Sequence, residues 1–333
     1  MKKYLIFSLI VLIAAISFWL IFLPLEPSSE KEVIFIVAKG EGSKDIALNL
    51  AKENLIRCAT TFRVYVLVKG VAGDLKAGQY LLSPSMNIPQ IAEKLFKGGI
   101  IKEKITIIEG WSLKTIGFYF EDRGMWPAEE VWQMAARDFS DQFDFLKDKP
   151  ENLGLEGYLF PDTYEIMKNE SLENVVKRML SNFDRKIAPY RNEVSGSGLT
   201  LFEIVTMASL IEKEVRDPED KKLVSGILWK RLEANIPLQV DATTAYILGR
   251  ENWTFYEMRK EIALARDIDS PYNTYKYQGL PPGPISNPGL ESIIATIYPV
   301  ESDYWYYLST PEGETIFSET LEEHNLAKAK YLK

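Results

Sequence analysis

Twenty consecutive uncharged positions, Tyr4 to Leu23 (YLIFSLIVLIAAISFWLIFL), stand near the start of the chain, and the later apolar runs are short and periodic. As a helix the opening run spans roughly 30 Å, the thickness of a bilayer core. Lys2 and Lys3 precede it, which predicts a cytoplasmic tail over 1–3 and the remainder of the chain outside. The rival reading is a cleaved leader. The run ends in Phe18, Trp19 and Phe22 with no small-x-small cleavage site, so an uncleaved anchor over 4–25 is expected, followed by a polar linker over 26–32.

From Val33 the pattern alternates between strand and helix periods. VIFIVAKGEGSKDIALNLAKENLI reads as a β-rich run, a glycine turn and an amphipathic helix, with Ser43 as a candidate cap. Two further helices are predicted over TTFRVYVLVKG and NIPQIAEKLFKGG, then a strand over EKITIIEG and a helix from Ser112. DKPENLG (Asp148 to Gly154) is the best internal boundary. Beyond it come LEGYLFPDTYEI, a helix from Ser171 to about Pro189, and a break at SGSG. Thr200 and Glu203 form a capping box that starts the next helix. Asp217 and Pro218 start another, and the end of the chain reads as a hairpin turning at Pro311 to Gly313, then a helix containing His324.

The helix after Thr200 carries TMASLIEKEV. On a wheel of about 100° per residue with Ala208 at zero, Leu201, Ile204, Val205, Ile211 and Val215 fall within about 60° of it. Glu212 falls inside this apolar stripe, at about 40°, whereas Glu203 and Glu214 fall beyond about 120°. A carboxylate against apolar surface has its charged form disfavoured, which suits a general acid. The pattern therefore singles out Glu212. The plain alternative is a residue at the edge of the stripe, paired with a lysine.

Composition narrows the chemistry. Of 333 residues, 26% are charged and the net charge is -8, which argues against nucleic acid as a partner. Cys58 and His324 are single, so an internal disulfide is excluded and a zinc site is not expected; no metal or cofactor is called for, and carboxylates must carry the acid–base work. SPYNTYKYQGLPPGPISNPG (Ser270 to Gly289) holds five prolines and three glycines, too many for regular structure. Its aromatics and amides, with those of LQVDATTAYILG and LEGYLFPDTYEI, suit a sugar.

Together EGWSLKTIG, LEGYLFPDTYEI, ASLIEKEV, LQVDATTAYILG, SPYNTYKYQGLPPGPISNPG and TIFSETLEEHN, in that order, resemble the endolytic murein transglycosylases, the MltG or YceG-like family. The resemblance implies an α+β protein with an N-terminal transmembrane helix, a LysM-like subdomain (33–100), a connecting region (101–150) and a mixed α/β transglycosylase domain (151–333). It implies a single-pass protein of the cell membrane with its catalytic domain on the periplasmic, extracytoplasmic side, acting on peptidoglycan strands, with peptidoglycan synthases as candidate partners. The family's catalytic glutamate maps onto Glu212, the residue that the wheel selects. Val240-Asp241-Ala242 departs from the Thr-Asp-Pro frequent in the family.

On this reading Glu212 protonates the oxygen between N-acetylmuramic acid and N-acetylglucosamine. It then takes the proton of the muramic C6 hydroxyl, which closes a 1,6-anhydro ring without water. Gln239, Asp241, Thr243, Tyr272, Asn273, Tyr275, Glu156 and Asp162 are the candidate substrate-binding residues. Two alternatives stay open: a muramidase with Glu156, Asp162 or Asp241 as second carboxylate, and a non-catalytic glycan-binding scaffold. His324 is expected to pack or cap rather than act as a base.

Overall fold

The computed structural model describes residues 2–98, 102–167, 170–249 and 266–332. It is a mixed α/β structure in which helices dominate and each described sheet has two strands. Two compact units are present: Met1–Lys104 with Glu165–Asn169, and Ile105–Tyr164 with Glu170–Lys333.

The first unit holds α1 (Lys2–Phe22), β1 (Val33–Val37), α2 (Ser43–Lys52), α3 (Ala59–Val68), β2 (Gly78–Leu82) and α4 (Ile88–Lys97). β1 and β2 pair antiparallel, from Val33 opposite Leu82 to Val37 opposite Gly78. Alternate strand residues Phe35, Val37, Tyr80 and Leu82 turn inward onto Ile46, Leu50, Phe62, Val66, Ile91 and Leu95 of the helices. Ser43 is not the cap of α2. Gly42 holds that position without a side-chain bond, and Ser43 is the first helical residue. α1 is a 21-residue helix. Some of its side chains lie outside the described set, and among the described residues no single helix is long and apolar enough to cross a membrane.

The second unit is built around α9 (Leu201–Glu214), whose Thr200–Glu203 capping box is formed as predicted. From Ile204 to Ile211 every residue of α9 is buried. α10 (Pro218–Glu233), capped by Asp217, α11 (Asp241–Leu248) and α12 (Leu290–Ile297) pack against it. α5 (Leu113–Asp122) and α6 (Ala128–Ala135) pack on each other, and α7 (Leu172–Ile187) follows with Ser171 as cap. β3 (Lys102–Thr106) pairs with β4 (Thr163–Met167). α8 (Arg191–Gly196) leads into α9. The terminal hairpin joins β5 (Tyr306–Ser309) to β6 (Thr315–Ser318), and α13 (Leu321–Tyr331) packs on both strands.

The proline-rich stretch from Ser270 to Gly289 has no regular element, as its composition predicts. It is fastened to the middle of α9. The Ile285 N–H donates to Ser209 Oγ at 3.0 Å, and Ser286 Oγ donates to the Ser209 carbonyl at 3.1 Å. Gly157, with φ of 90°, lets another segment come close: a Cβ there would lie 2.7 Å from Pro284 and 2.8 Å from Val205.

Candidate active site

The two glutamates at the end of α9 enter different surroundings. Glu212 is enclosed, with 8% of its side chain exposed, beside Lys221 of α10, with 4%. Its Oε1 faces Lys221 Nζ at 3.4 Å. Its Oε2 accepts from the Gly289 N–H at 2.9 Å and from Ser292 Oγ at 2.6 Å. Glu109 lies on the same spot: a Cβ on Gly289 would fall 2.1 Å from its Oε1. Burial first, then the charges of Glu212 and Glu291, raise the Glu109 carboxyl above its ordinary value, and Lys221 opposes this. The surroundings of Glu212 are thus a buried ion pair with two added donors, not the bare apolar face that the wheel implied.

Glu214 is half-buried on the other side of α9. Tyr307 Oη of β5 donates to its Oε2 at 3.1 Å, and Ser309 Oγ donates to its carbonyl at 3.0 Å. Burial first, then the charge of Asp241, push the carboxyl from its ordinary 4.5 up to about 7, against the Tyr307 hydroxyl and the Ala242 N–H. The Tyr307 hydroxyl is itself held well above its ordinary value by burial and by Glu214. The wheel places Glu214 on a different side of the helix from Glu212, and the structure does the same. It points toward Asp241.

Three predicted binding residues gather on the Glu214 side. Asp241, the first residue of α11, accepts from Tyr275 Oη through Oδ1 and faces Arg266 Nη2 at 3.7 Å. The Tyr275 ring lies under the Arg266 guanidinium, 4.5 Å from its centroid. Gln239 is exposed, with φ of 57°, a left-handed conformation uncommon for a side-chain-bearing residue. Its N–H donates to the Thr274 carbonyl at 3.0 Å, and its Oε1 accepts from buried Arg231 at 3.2 Å.

The other candidates fall elsewhere. Asn273 is fully buried, and its Nδ2 donates to the Arg266 and Ile268 carbonyls at 2.8 and 2.9 Å, so it shapes the loop rather than meeting a ligand. Thr243 is also fully buried and bonds the Val240 carbonyl at 2.7 Å. Asp162 accepts from the Thr163 N–H at 2.7 Å and from Asn182 Nδ2 at 3.0 Å. Glu156 accepts from the Leu113 N–H at 3.0 Å and from Asn287 Nδ2 at 3.1 Å, and lines a separate groove with Tyr272.

His324 is 7% exposed and stacks on Tyr306 with centroids 5.2 Å apart. Burial first, then the charges of Lys328 and Arg231, lower it to about 4, so at neutral pH it is an uncharged packing residue. Sequence reasoning missed Tyr307, Arg231 and Arg266. A tyrosine in YWYYLS and an arginine inside an amphipathic helix carry no local mark of a site. Among the described residues no group of three or more His, Cys, Asp or Glu could hold a metal ion.

The model of the YceG-like family matches residues 35–330. An endolytic murein transglycosylase of Bacillus subtilis is 34% identical over 93% of this chain and 87% of its own length. One from Streptococcus pneumoniae is 31% identical over 93% of this chain, which spans 60% of that relative. The crystal structure of a putative YceG-like protein from Listeria monocytogenes covers 90% of this chain and all of its own, with a TM-score of 0.60 and 34% identity. With a match that runs through both compact units and includes the end of α9, this chain belongs to the YceG-like family.

Proposed function

We infer that the protein is a lytic transglycosylase that cleaves murein glycan strands, and that Glu214, rather than Glu212, is its general acid. One observation carries the choice of acid. The Glu214 carboxyl, raised to about 7, shares its surroundings with Asp241, Tyr275 and Tyr307, whereas Glu212 is closed in by Lys221, Gly289 and Ser292. At pH 7 a carboxyl of that pKa is protonated in about half the molecules, which suits transfer of a proton in either direction.

Glu214 protonates the glycosidic oxygen as the bond to the muramic C1 breaks. The positive charge that develops on the ring is met by the Asp241 carboxylate, held in place by Tyr275 and Arg266. Glu214, now a carboxylate, accepts the proton of the muramic C6 hydroxyl as that oxygen attacks C1. The nucleophile belongs to the substrate, so no water need be placed. The names of the Bacillus and Streptococcus relatives support the same reaction.

Asp241 beside Glu214 also favours a second reading, a muramidase with two carboxylates. Mass spectrometry of the fragments that the purified full chain releases from sacculi separates the readings. Ends one water lighter than reducing ends are expected. Reducing ends would assign Asp241 to activating water, and an absence of any fragment would leave a scaffold.

Two further elements of the reading rest on the first unit. The uncharged run Tyr4 to Leu23, nearly all of it in α1 and preceded by Lys2 and Lys3, supports a single-pass anchor over 4–25 with the remainder outside. Protease added to cells with any outer barrier opened should then degrade everything beyond the anchor, and a protected C-terminal part would rule this topology out. The order β1–α2–α3–β2 with antiparallel pairing supports a LysM-like subdomain over 33–100. A chain lacking Val33–Gly99 is expected to bind glycan more weakly while cutting the same linkage, and a changed linkage specificity would count against a purely binding role.

A further inference from the structure

Among the described residues, a groove of about 640 Å³ is lined by Trp132, Tyr246, Tyr272, Leu113, Ile247 and Glu156, with others. That volume lies in the range of small-ligand sites, roughly 300–1,000 Å³. Its aromatic rings are held from behind. Trp132 Nε1 donates to the Leu113 carbonyl at 3.1 Å. The indole rests on Gly117, where a Cβ would lie 2.3 Å from Nε1. The rings of Tyr246 and Tyr272 lie with centroids 5.2 Å apart.

The groove and the Glu214 cluster share a framework. A Cβ on Gly283 would lie 3.4 Å from Tyr272 Oη and 3.7 Å from the Phe202 ring. The Tyr272 hydroxyl and the ring of Phe202, the second residue of α9, therefore both border Gly283. α11 supplies residues to both places, Asp241 to the Glu214 cluster and Tyr246 to the groove. Along α11, Asp241 and Tyr246 are five residues apart, a rise of about 7.5 Å.

We propose that this groove is a further glycan subsite, which holds sugars of the strand to one side of the bond that Glu214 cuts and so directs cleavage to the interior of strands. The proposal rests on the transglycosylase reading. A sugar ring offers apolar faces to Trp132, Tyr246 and Tyr272 and hydroxyls to the rim. A peptide stem with free carboxylates fits less well. Glu156 lines the groove, and the Lys114 ammonium already donates to the Gly249 carbonyl at 3.1 Å.

The test uses the purified full chain and glycan oligomers of defined length, both with their peptides and after an amidase has removed them. Wild-type kcat/KM is expected to rise steeply with length until an oligomer reaches the groove. Tyr246→Ala should lower kcat/KM on long oligomers about tenfold, mostly through KM, as loss of uniform binding requires. On the shortest cleavable oligomer the same variant should lose less than about threefold, and Tyr246→Phe should restore the length dependence. Tyr272→Ala is the second variant should Tyr246→Ala fail to fold. Unchanged length dependence in a folded variant overturns the proposal, as does a loss confined to peptide-bearing strands, which would give the groove to the stem. Wild-type protein that forms no anhydro ends at any length would instead overturn the transglycosylase reading beneath it.

Discussion

Glu214→Gln is expected to lower the rate at which anhydromuramic ends appear by at least about 10²-fold, the low end of what a positioned acid–base group contributes. An amide fills the same space and can still accept from Tyr307 Oη, but it cannot give a proton to the leaving oxygen. Folding should survive. The carboxyl is raised from 4.5 to about 7, so the folded state binds its proton more tightly than the unfolded chain between those values. Its contribution is fully present below 4.5 and is lost as pH rises through about 7. The glutamine variant lacks this loss and should hold its stability better above pH 7. The wild-type rate should follow the same group. Because the protonated form starts the reaction, turnover should fall as pH rises past about 7. Counting anhydromuramic ends against time on purified sacculi, with circular dichroism as the folding control, measures each of these. A folded Glu214→Gln with near wild-type turnover would refute the assignment.

The choice between the two glutamates shows what the sequence made legible. The start of α9, its capping box and its apolar content could all be read directly, and the structure forms them. The wheel then assumed that a helix has one buried and one wet face. α9 is instead buried on all sides from Ile204 to Ile211, as a helix at the centre of a domain is. Both sides of its last turn therefore face protein. Thr206 and Ser209, which look like polar interruptions, are fully buried because their hydroxyls bond carbonyls one turn back, Thr206 Oγ1 to Phe202 at 2.8 Å and Ser209 Oγ to Thr206 at 2.7 Å. The groups that decide the role of each glutamate arrive from far along the chain: Lys221, Gly289 and Ser292 for one, Asp241 and Tyr307 for the other. Periodicity within one helix carries no information about them. Asn273 illustrates the converse. Its residue type and its place between two tyrosines suit ligand binding, yet both of its amide donors are engaged by the loop that it closes.

Glu212→Gln is expected to be a stability variant rather than a dead enzyme. On a bare apolar face, removing this charge would relieve a desolvation cost. The structure reverses the sign, because Lys221 is as buried as its partner and faces it at 3.4 Å. Removing one member of a buried pair leaves the other charge uncompensated, at a cost of about 3–5 kcal/mol. Glu109 stands close enough to take part of the load, which places the expected loss at the low end, about 3 kcal/mol. Lys221→Met alone should cost a similar amount, since it leaves Glu212 and Glu109 facing each other without a cation. Changing both residues removes both charges together. The double variant should then lose less than the sum of the single losses, by an interaction energy of roughly 1–3 kcal/mol. Denaturant unfolding of the four proteins measures this cycle, and the same preparations are assayed for anhydro ends. Below its unfolding range Glu212→Gln should keep most of its turnover. A fully stable Glu212→Gln that forms no anhydro ends would show that Glu212 is the acid after all, and that the carboxyl raised by Asp241 serves only to hold the end of α9 against the hairpin.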